Sequence, residues 1–339
     1  MIMAAGSHPG TCWFPDFLKG GMCLEAPLEQ DLSRAFGLRP SGWQPVSGGW
    51  LNQKWRVETA TGPVLVKRYS LERFPPPKLR QIRRALLRQQ ALWEQGFPCP
   101  RVYGCAQGPL RTLDPETVYM VMDFLSGRQE TAASVSLPQL ESLGKALGDL
   151  QRGLSLFPQE EPCRYPTGSA ALRQALELHL ESARRREGPP GFHREVEQAA
   201  ALLDRVNLAF ADSLPQGFSH EDFAPDNLLF SPESLAAVLD FDRNQWGYLA
   251  HDLGRALLSF AWTGQGLDQA KAAALLEGYR QAGGAAPAPA DALRLTWCLE
   301  VPWWIQPEFF QDPSPKTLRF RQEIQWVTAQ WDQLDILFP

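Results

Sequence analysis

Residues 217–230 read Gly-Phe-Ser-His-Glu-Asp-Phe-Ala-Pro-Asp-Asn-Leu-Leu-Phe, and residues 235–242 read Leu-Ala-Ala-Val-Leu-Asp-Phe-Asp. The apolar runs 228–230 and 237–239 are separated by the turn formers Ser-Pro-Glu-Ser at 231–234, so the stretch predicts a β-hairpin. Polar residues that a merely structural hairpin would not need bracket it: His220, Glu221, Asp222, Asp226 and Asn227 before, Asp240 and Asp242 after. Pairing the two strands brings Asn227 and Asp240 to the same open end. An amide oxygen and a carboxylate there suit Mg²⁺, a hard cation that keeps several waters and binds substrate phosphates. Asp222, five residues before Asn227, would sit beside that metal, where an acceptor hydroxyl is oriented and relieved of its proton. Any one of the three could be a cap or turn residue; at this spacing around one hairpin they read together as a site.

Working outward, the chain downstream of Gly127 has mostly helical periodicity. Ser136 is placed to cap a helix carrying Leu140, Leu143, Leu147 and Leu150 on one face, and helices are predicted over 168–187, 193–212, 250–262, 268–282, 289–305 and 314–336. Upstream, a short helix over 28–36 precedes strand-like runs at 43–46, 53–59 and 64–69, then a helix over 78–95 that stops at Gly96, then strand-like runs at 101–106 and 117–124. The fold class expected is α+β with two lobes, a small antiparallel sheet and a larger, mainly helical part. The boundaries read as 1–40 for an extension and short helix, 41–125 for the first lobe and 126–339 for the second. Residues 1–24 carry few periodic apolar positions and are expected to be loosely held.

The string around 217–230, with Asp240-Phe241-Asp242 and His251-Asp252-Leu253-Gly254, resembles the aminoglycoside phosphotransferase and choline kinase family, which has a homoserine-kinase-like branch. The short segment between Asp240 and Asp252 favours these small-molecule kinases over protein kinases. The resemblance implies a protein-kinase-like fold, with ATP and Mg²⁺ as cofactors and a small-molecule hydroxyl as acceptor. It implies Asp222 as the catalytic base, and Asn227 and Asp240 as metal ligands. The loop Ser47, Gly48, Gly49 to Asn52 would lie over the phosphates, Lys67 on the third strand would grip the α- and β-phosphates, and Met122, Asp123, Phe124 and Leu125 would meet the adenine. His220 is read as bracing the loop through its ring nitrogens. Asp252 either caps its helix or holds the loop's backbone, and Asp242 lies either beside the metal or on a solvated turn. Three departures stand out: residues 78–93 contain no acid to pair with Lys67, leaving Gln81, Gln89 or Gln90 as substitutes; Glu221 stands where relatives often have Gly; and Gln151 stands where a Leu-His pair is common.

Composition agrees with an ordinary globular chain: 339 residues, 44% hydrophobic, 21% charged, with a net charge of −5 that argues against bulk nucleic-acid binding. The sign is uneven, +5 over residues 1–125 and −10 over 126–339. The acidic half suggests a cationic acceptor such as an aminoglycoside, a choline-like amine or an amino alcohol like homoserine. Glu300, Trp303, Trp304 and Glu308 read either as a pocket for that cation or as packing between terminal helices. The six cysteines lack metal-site spacing and read as small buried hydrophobes, and Arg80, Arg84 and Arg88 read as a solvated helix face. With no membrane span or leader pattern, a cytosolic location is expected, with no nucleic-acid or membrane partner; oligomeric state is not encoded. The competing readings are a nucleotide-binding module without transfer, a kinase acting on protein Ser/Thr, and a metal-dependent hydrolase.

Overall fold

The computed structural model describes residues 21–46, 52–284, 287–312 and 314–338. It divides into two compact units, Met1–Pro76 with Val102–Phe124, and Pro77–Arg101 with Leu125–Pro339.

Among the described residues, the first unit is an antiparallel sheet with the helix that precedes it. Helix α1 (Gly21–Phe36) leads into strands β1 (Pro40–Pro45), β2 (Asn52–Thr59), β3 (Val64–Tyr69), β4 (Arg111–Asp114) and β5 (Thr117–Asp123), ordered β1-β2-β3-β5-β4. Leu28 and Leu32 of α1 pack with Trp55, Val57, Val64, Val66, Tyr119 and Val121, the inward positions of three strands. A polar clamp sits beside this core: buried Asp31 accepts two hydrogen bonds from Arg111 at 2.8 Å and one from Tyr119 Oη at 2.7 Å. The helix starts at Gly21, earlier than its periodicity predicts, and so takes in the end of the segment expected to be loosely held. The strand expected over 101–106 is absent. Val102 makes an isolated bridge to Met122, after which Cys105 and Gly108 exchange hydrogen bonds in a tight turn, and the ladder on β5 goes to β4 instead.

The second unit is mainly helical: α2 (Pro76–Glu94), α3 (Leu137–Leu154), α4 (Ser169–Arg184), α5 (Phe192–Arg205), α6 (Leu249–Ala261), α7 (Gln269–Gln281), α8 (Pro289–Trp304), α9 (Pro307–Gln311), α10 (Pro315–Gln330) and α11 (Leu334–Leu337). Among the described residues two antiparallel strand pairs interrupt it, β6 (Gln216–Ser219) with β9 (Gln245–Tyr248) and, between them in sequence, the hairpin β7 (Leu228–Phe230) with β8 (Leu235–Val238). Ser136 caps α3 in a reciprocal box with Gln139. The helix expected to run to 212 ends at Arg205, where Arg173 takes the carbonyls of Leu203 and Val206, and the helix expected over 314–336 breaks after Gln330. No helix among the described residues is long and apolar enough to cross a membrane.

Helices α3 and α7 cross at glycines. A Cβ on Gly144 would lie 1.9 Å from the Leu275 carbonyl oxygen, and one on Gly278 would lie 1.8 Å from that of Glu141. Gly278→Ala is therefore expected to destabilise. Its helix propensity gains about 1 kcal/mol, but the clash is with backbone, and overpacking of that kind costs about 1–3 kcal/mol. A lower denaturant midpoint at unchanged slope is the expected result, and a midpoint at or above wild type contradicts the close crossing.

Arg88 corrects the reading of a solvated arginine face. Its side chain is 5% exposed, with Nε donating to Asn244 Oδ1 at 2.6 Å and the guanidinium 3.9 Å from the Phe218 ring centroid. Arg84 is exposed, near Glu160 and Glu161. Of the described cysteine side chains, Cys99 and Cys298 are buried and Cys105 and Cys163 half-buried.

Candidate active site

The site grows from the β7–β8 pair. Leu228 lies opposite Val238, and the Leu239 N–H donates to the Asn227 carbonyl at 2.8 Å, so the residues flanking the strands, Asn227 and Asp240, emerge at one end. Asn227 Nδ2 donates to the Asp222 carbonyl at 2.9 Å. Because the amide nitrogen is spent there, Oδ1 is the side-chain atom left for another partner, an oxygen donor of the kind a hard cation takes. Asp222 is half-buried, with Oδ1 3.7 Å from Arg243. The structure thus brings Asp222, Asn227 and Asp240 to one place, and adds Arg243, which sequence reasoning missed although it directly follows Asp240-Phe241-Asp242.

Two non-glycine residues among those described have left-handed φ, Glu221 at 65° and Asp240 at 57°, and they flank the site on either side. For an L-residue that conformation costs about 1–2 kcal/mol, so the surroundings must hold both in place. The φ at residue 221 also accounts for the glycine expected there. Asp252 does much of the holding: Oδ2 accepts from the His220 N–H at 2.6 Å and Oδ1 from the Glu221 N–H at 3.0 Å. It sits in the first turn of α6, whose cap is Tyr248, so of the two roles read for it the structure shows the backbone one. His220 is buried, its Nε2 is 2.9 Å from the Leu239 carbonyl, and its ring packs edge-on to Phe241 at 4.8 Å. Burial lowers its pKa, which favours the neutral ring. Asp242 is half-buried on the turn Phe241–Arg243. Asn244, also unnoticed in the sequence, relays α2 to the loop, taking Arg88 on its oxygen and donating to the Ser219 carbonyl at 2.8 Å.

A buried charge network continues behind the loop. Glu221 accepts from Ser219 Oγ at 2.6 Å and from Tyr165 Oη at 2.5 Å, and its Oε2 is 3.7 Å from His251 Nδ1. His251 Nε2 lies 3.6 Å from Glu300, distances of an ion pair rather than of hydrogen bonds, and Arg255 bridges Glu300 and Glu323. Burial raises the Glu221 pKa, but His251, Ser219 and Tyr165 together outweigh it and hold the carboxylate below its usual range. Burial also lowers His251, but Glu221 and Glu300 on either side carry it up to about 10. Asp252 is pushed up to about 7 by burial and by the Glu221 charge.

The charge on His251 makes stability depend on pH. Its folded pKa stands above the ordinary value of about 6.5, so its contribution is complete below that pH and is lost as pH rises through about 10. The midpoint of thermal unfolding should fall between pH 7 and 10.5, and His251→Gln should flatten that decline; an undiminished slope in the variant contradicts the charged ring.

The remaining candidate residues lie elsewhere. In the first unit, Lys67 is buried on β3 opposite Met120, with its ammonium 5.6 Å from the Tyr69 ring centroid. Asn52 opens β2 opposite Tyr69; Met122 and Asp123 end β5, with Asp123 accepting from Tyr103 Oη; the Phe124 N–H donates to the Pro63 carbonyl, and Leu125 opens the longer segment of the second unit. Ser47, Gly48 and Gly49 lie outside the described residues. On α2, Gln89 donates to the Pro100 carbonyl and Gln90 to Glu94, while Gln81 is exposed. Gln151 donates to the Leu249 carbonyl and accepts from Tyr279 Oη.

Glu300, Trp303, Trp304 and Glu308 do not share one pocket. Glu300 is taken by Arg255, His251 and Trp304 Nε1, Trp304 stacks on Phe320, and Glu308 pairs with Arg186. Trp303 lines a cleft of about 290 Å³ with Tyr165, His179 and Gln306.

With an antiparallel sheet before a helical part that carries this hairpin, the chain belongs to the phosphotransferase enzyme family, whose model matches residues 42–293. Among relatives, the homoserine kinase of Hyphomonas neptunium is 31% identical over 206 residues, covering 57% of this chain and 59% of its own length. That of Chelativorans sp. is 27% identical over 252 residues, covering 70% of each. The chain therefore spans less than two thirds of the first of these relatives. Among solved structures, amicoumacin kinase hAmiN is similar with a TM-score of 0.61 at 14% identity (91% of this chain, 96% of that one), and choline kinase of Cryptosporidium parvum with 0.54 at 14% (88% and 93%). These likenesses show the fold, α+β and protein-kinase-like, as the sequence leads one to expect.

Proposed function

We propose that the protein transfers the γ-phosphoryl group of ATP, as its Mg²⁺ complex, to the hydroxyl of a small amino alcohol, with homoserine first among the acceptors. The observation that carries this reading is the meeting of Asp222, Asn227 and Asp240 at the open end of one hairpin. The names of the curated relatives favour homoserine over an aminoglycoside or choline. In this reading residues 41–125 serve the nucleotide, residues 126–339 serve catalysis and the acceptor, and the protein works in the cytosol.

Phosphoryl transfer asks for positioning and charge neutralisation rather than covalent help from the protein. Asp222 accepts a hydrogen bond from the acceptor hydroxyl, orients its oxygen and takes its proton as that oxygen bonds to the γ-phosphorus and the bond from the γ-phosphorus to the β–γ bridging oxygen breaks, with ADP leaving. Asn227 and Asp240 would hold Mg²⁺, which when bound would neutralise charge on the phosphates. Lys67 binds the α- and β-phosphates, and Met122 to Leu125 meet the adenine. Arg243, beside Asp222, adds positive charge where the phosphoryl group passes. His220 and Asp252 keep the loop in shape.

One feature favours a second reading, a nucleotide-binding module without transfer: α2 carries a single acid, Glu94, and it accepts from Gln90. ATP consumption by the purified full chain, measured with Mg²⁺ against homoserine, choline, aminoglycosides and neutral sugars, separates the two. Release of ADP with O-phosphohomoserine, at a turnover of about 1–100 s⁻¹, is the expected result. Thermal stabilisation by Mg²⁺-ATP with no turnover on any acceptor supports the module instead.

A further inference from the structure

Between His220 and Asp222, Glu221 holds a left-handed backbone that glycine adopts more readily, so its side chain must bring something the glycine would not. That side chain is fully buried. One oxygen takes the Ser219 hydroxyl, within the chain that leads into the loop; the other takes the Tyr165 hydroxyl, from the segment before α4. His251 of α6 lies 3.7 Å away and Arg164 3.9 Å. Room for the carboxylate is made on β9: a Cβ on Gly247 would lie 2.4 Å from Glu221 Oε1. Residues 165, 219, 221, 247 and 251 thus fit one another, and the fit spans the strand entering the loop, the strand leaving the hairpin and the helix behind both.

What this arrangement fixes is the peptide joining residues 221 and 222. Asp252 holds its preceding N–H groups, the Glu221 carboxylate holds its side, and the Asp222 carbonyl that follows accepts from the Ala224 N–H and from Asn227 Nδ2. A rotation at residue 221 would therefore swing the Asp222 side chain and release Asn227 together. We infer that Glu221 is a positioning residue for phosphoryl transfer, its buried carboxylate locking the left-handed turn that aims Asp222 and anchors Asn227. The inference rests on the reading of Asp222 as the group that takes the acceptor proton.

Glu221→Gly is the informative variant, because it removes the carboxylate while easing the backbone. A residue that only fills space would leave turnover unchanged there. We expect kcat to fall by at least about tenfold, since small misplacement of a reacting group is costly, with KM for ATP changed less than about twofold. Amide exchange at His220 and Asp222, measured without substrate, should quicken by a similar factor. Glu221→Gln, which keeps the shape and one acceptor oxygen, should fall between that variant and wild type in both readouts. A Gly variant with kcat within twofold of wild type overturns the inference, as does lost turnover with loop exchange at the wild-type rate, or a Gln variant no better than Gly. Wild-type protein that phosphorylates no acceptor overturns the proposed function separately, and the exchange experiment still decides whether Glu221 locks the loop.

Discussion

Asp222→Ala is expected to lower kcat by about 10²–10⁴-fold, the range associated with a positioned general base, while Mg²⁺-ATP still binds. The expectation of retained binding comes from how the loop is built. Asp222 contributes its carbonyl, not its carboxylate, to the hydrogen bonds from Ala224 and Asn227, so truncating the side chain leaves the hairpin's anchor in place. The carboxylate's ion pair is with Arg243, at the surface side of the site, where both groups are about a third or more exposed and such a pair adds little stability. Folding should therefore be near wild type, and the loss should appear in turnover. Asp222→Asn tests the same point with shape preserved: the amide cannot take the proton, so it should lose nearly as much. Single-turnover phosphorylation alongside nucleotide titration is the measurement, and a variant within tenfold of wild type would remove Asp222 from its role.

How far the site could be read from the chain depended on how local its parts are. The β7–β8 hairpin joins apolar runs through four turn residues, so its register, and with it the shared end occupied by Asn227 and Asp240, follows from nearest neighbours. The pair β6 and β9 was invisible for the opposite reason. Its strands are separated by the whole site, and Gly217 faces Gly247, leaving no alternation to notice. Arg88 looked solvated because its helix spacing matched other exposed arginines, whereas its burial depends on Asn244, 156 positions away. Glu221 could be recognised as a departure from glycine, but not its positive φ or its partner Tyr165. The cation pocket suggested by Glu300 and its aromatic neighbours failed on a similar long-range fact: Arg255 comes from another helix and takes the carboxylate.

Arg255→Met is expected to cost roughly 3–5 kcal/mol, the range for breaking a buried ion pair and stranding its partner. The guanidinium is 8% exposed, donates to Glu300 at 2.6 Å and to Glu323, and packs 4.6 Å from the Phe320 ring centroid. Methionine preserves much of the packing, so the loss isolates the charge. Two carboxylates would remain buried, Glu300 with His251 and Glu323 with Arg319 at 3.1 Å as incomplete compensation. The pH dependence should also invert. In wild type, burial raises Glu300 but Arg255 and His251 outweigh it and hold its pKa at about 2, so its contribution is present above the ordinary carboxylate range and is lost as pH falls through about 2. Without Arg255, desolvation dominates and the folded pKa rises above the unfolded one. The variant then gains from protonation: its deficit is largest at neutral pH and shrinks as pH falls toward the ordinary carboxylate pKa of about 4.3. Unfolding midpoints measured from pH 4.5 to 8 should therefore converge at the acidic end, and Arg255→Met with Glu323→Gln should recover part of the loss at pH 8. A constant deficit across that range would mean that lost packing, not the stranded carboxylates, carries the cost.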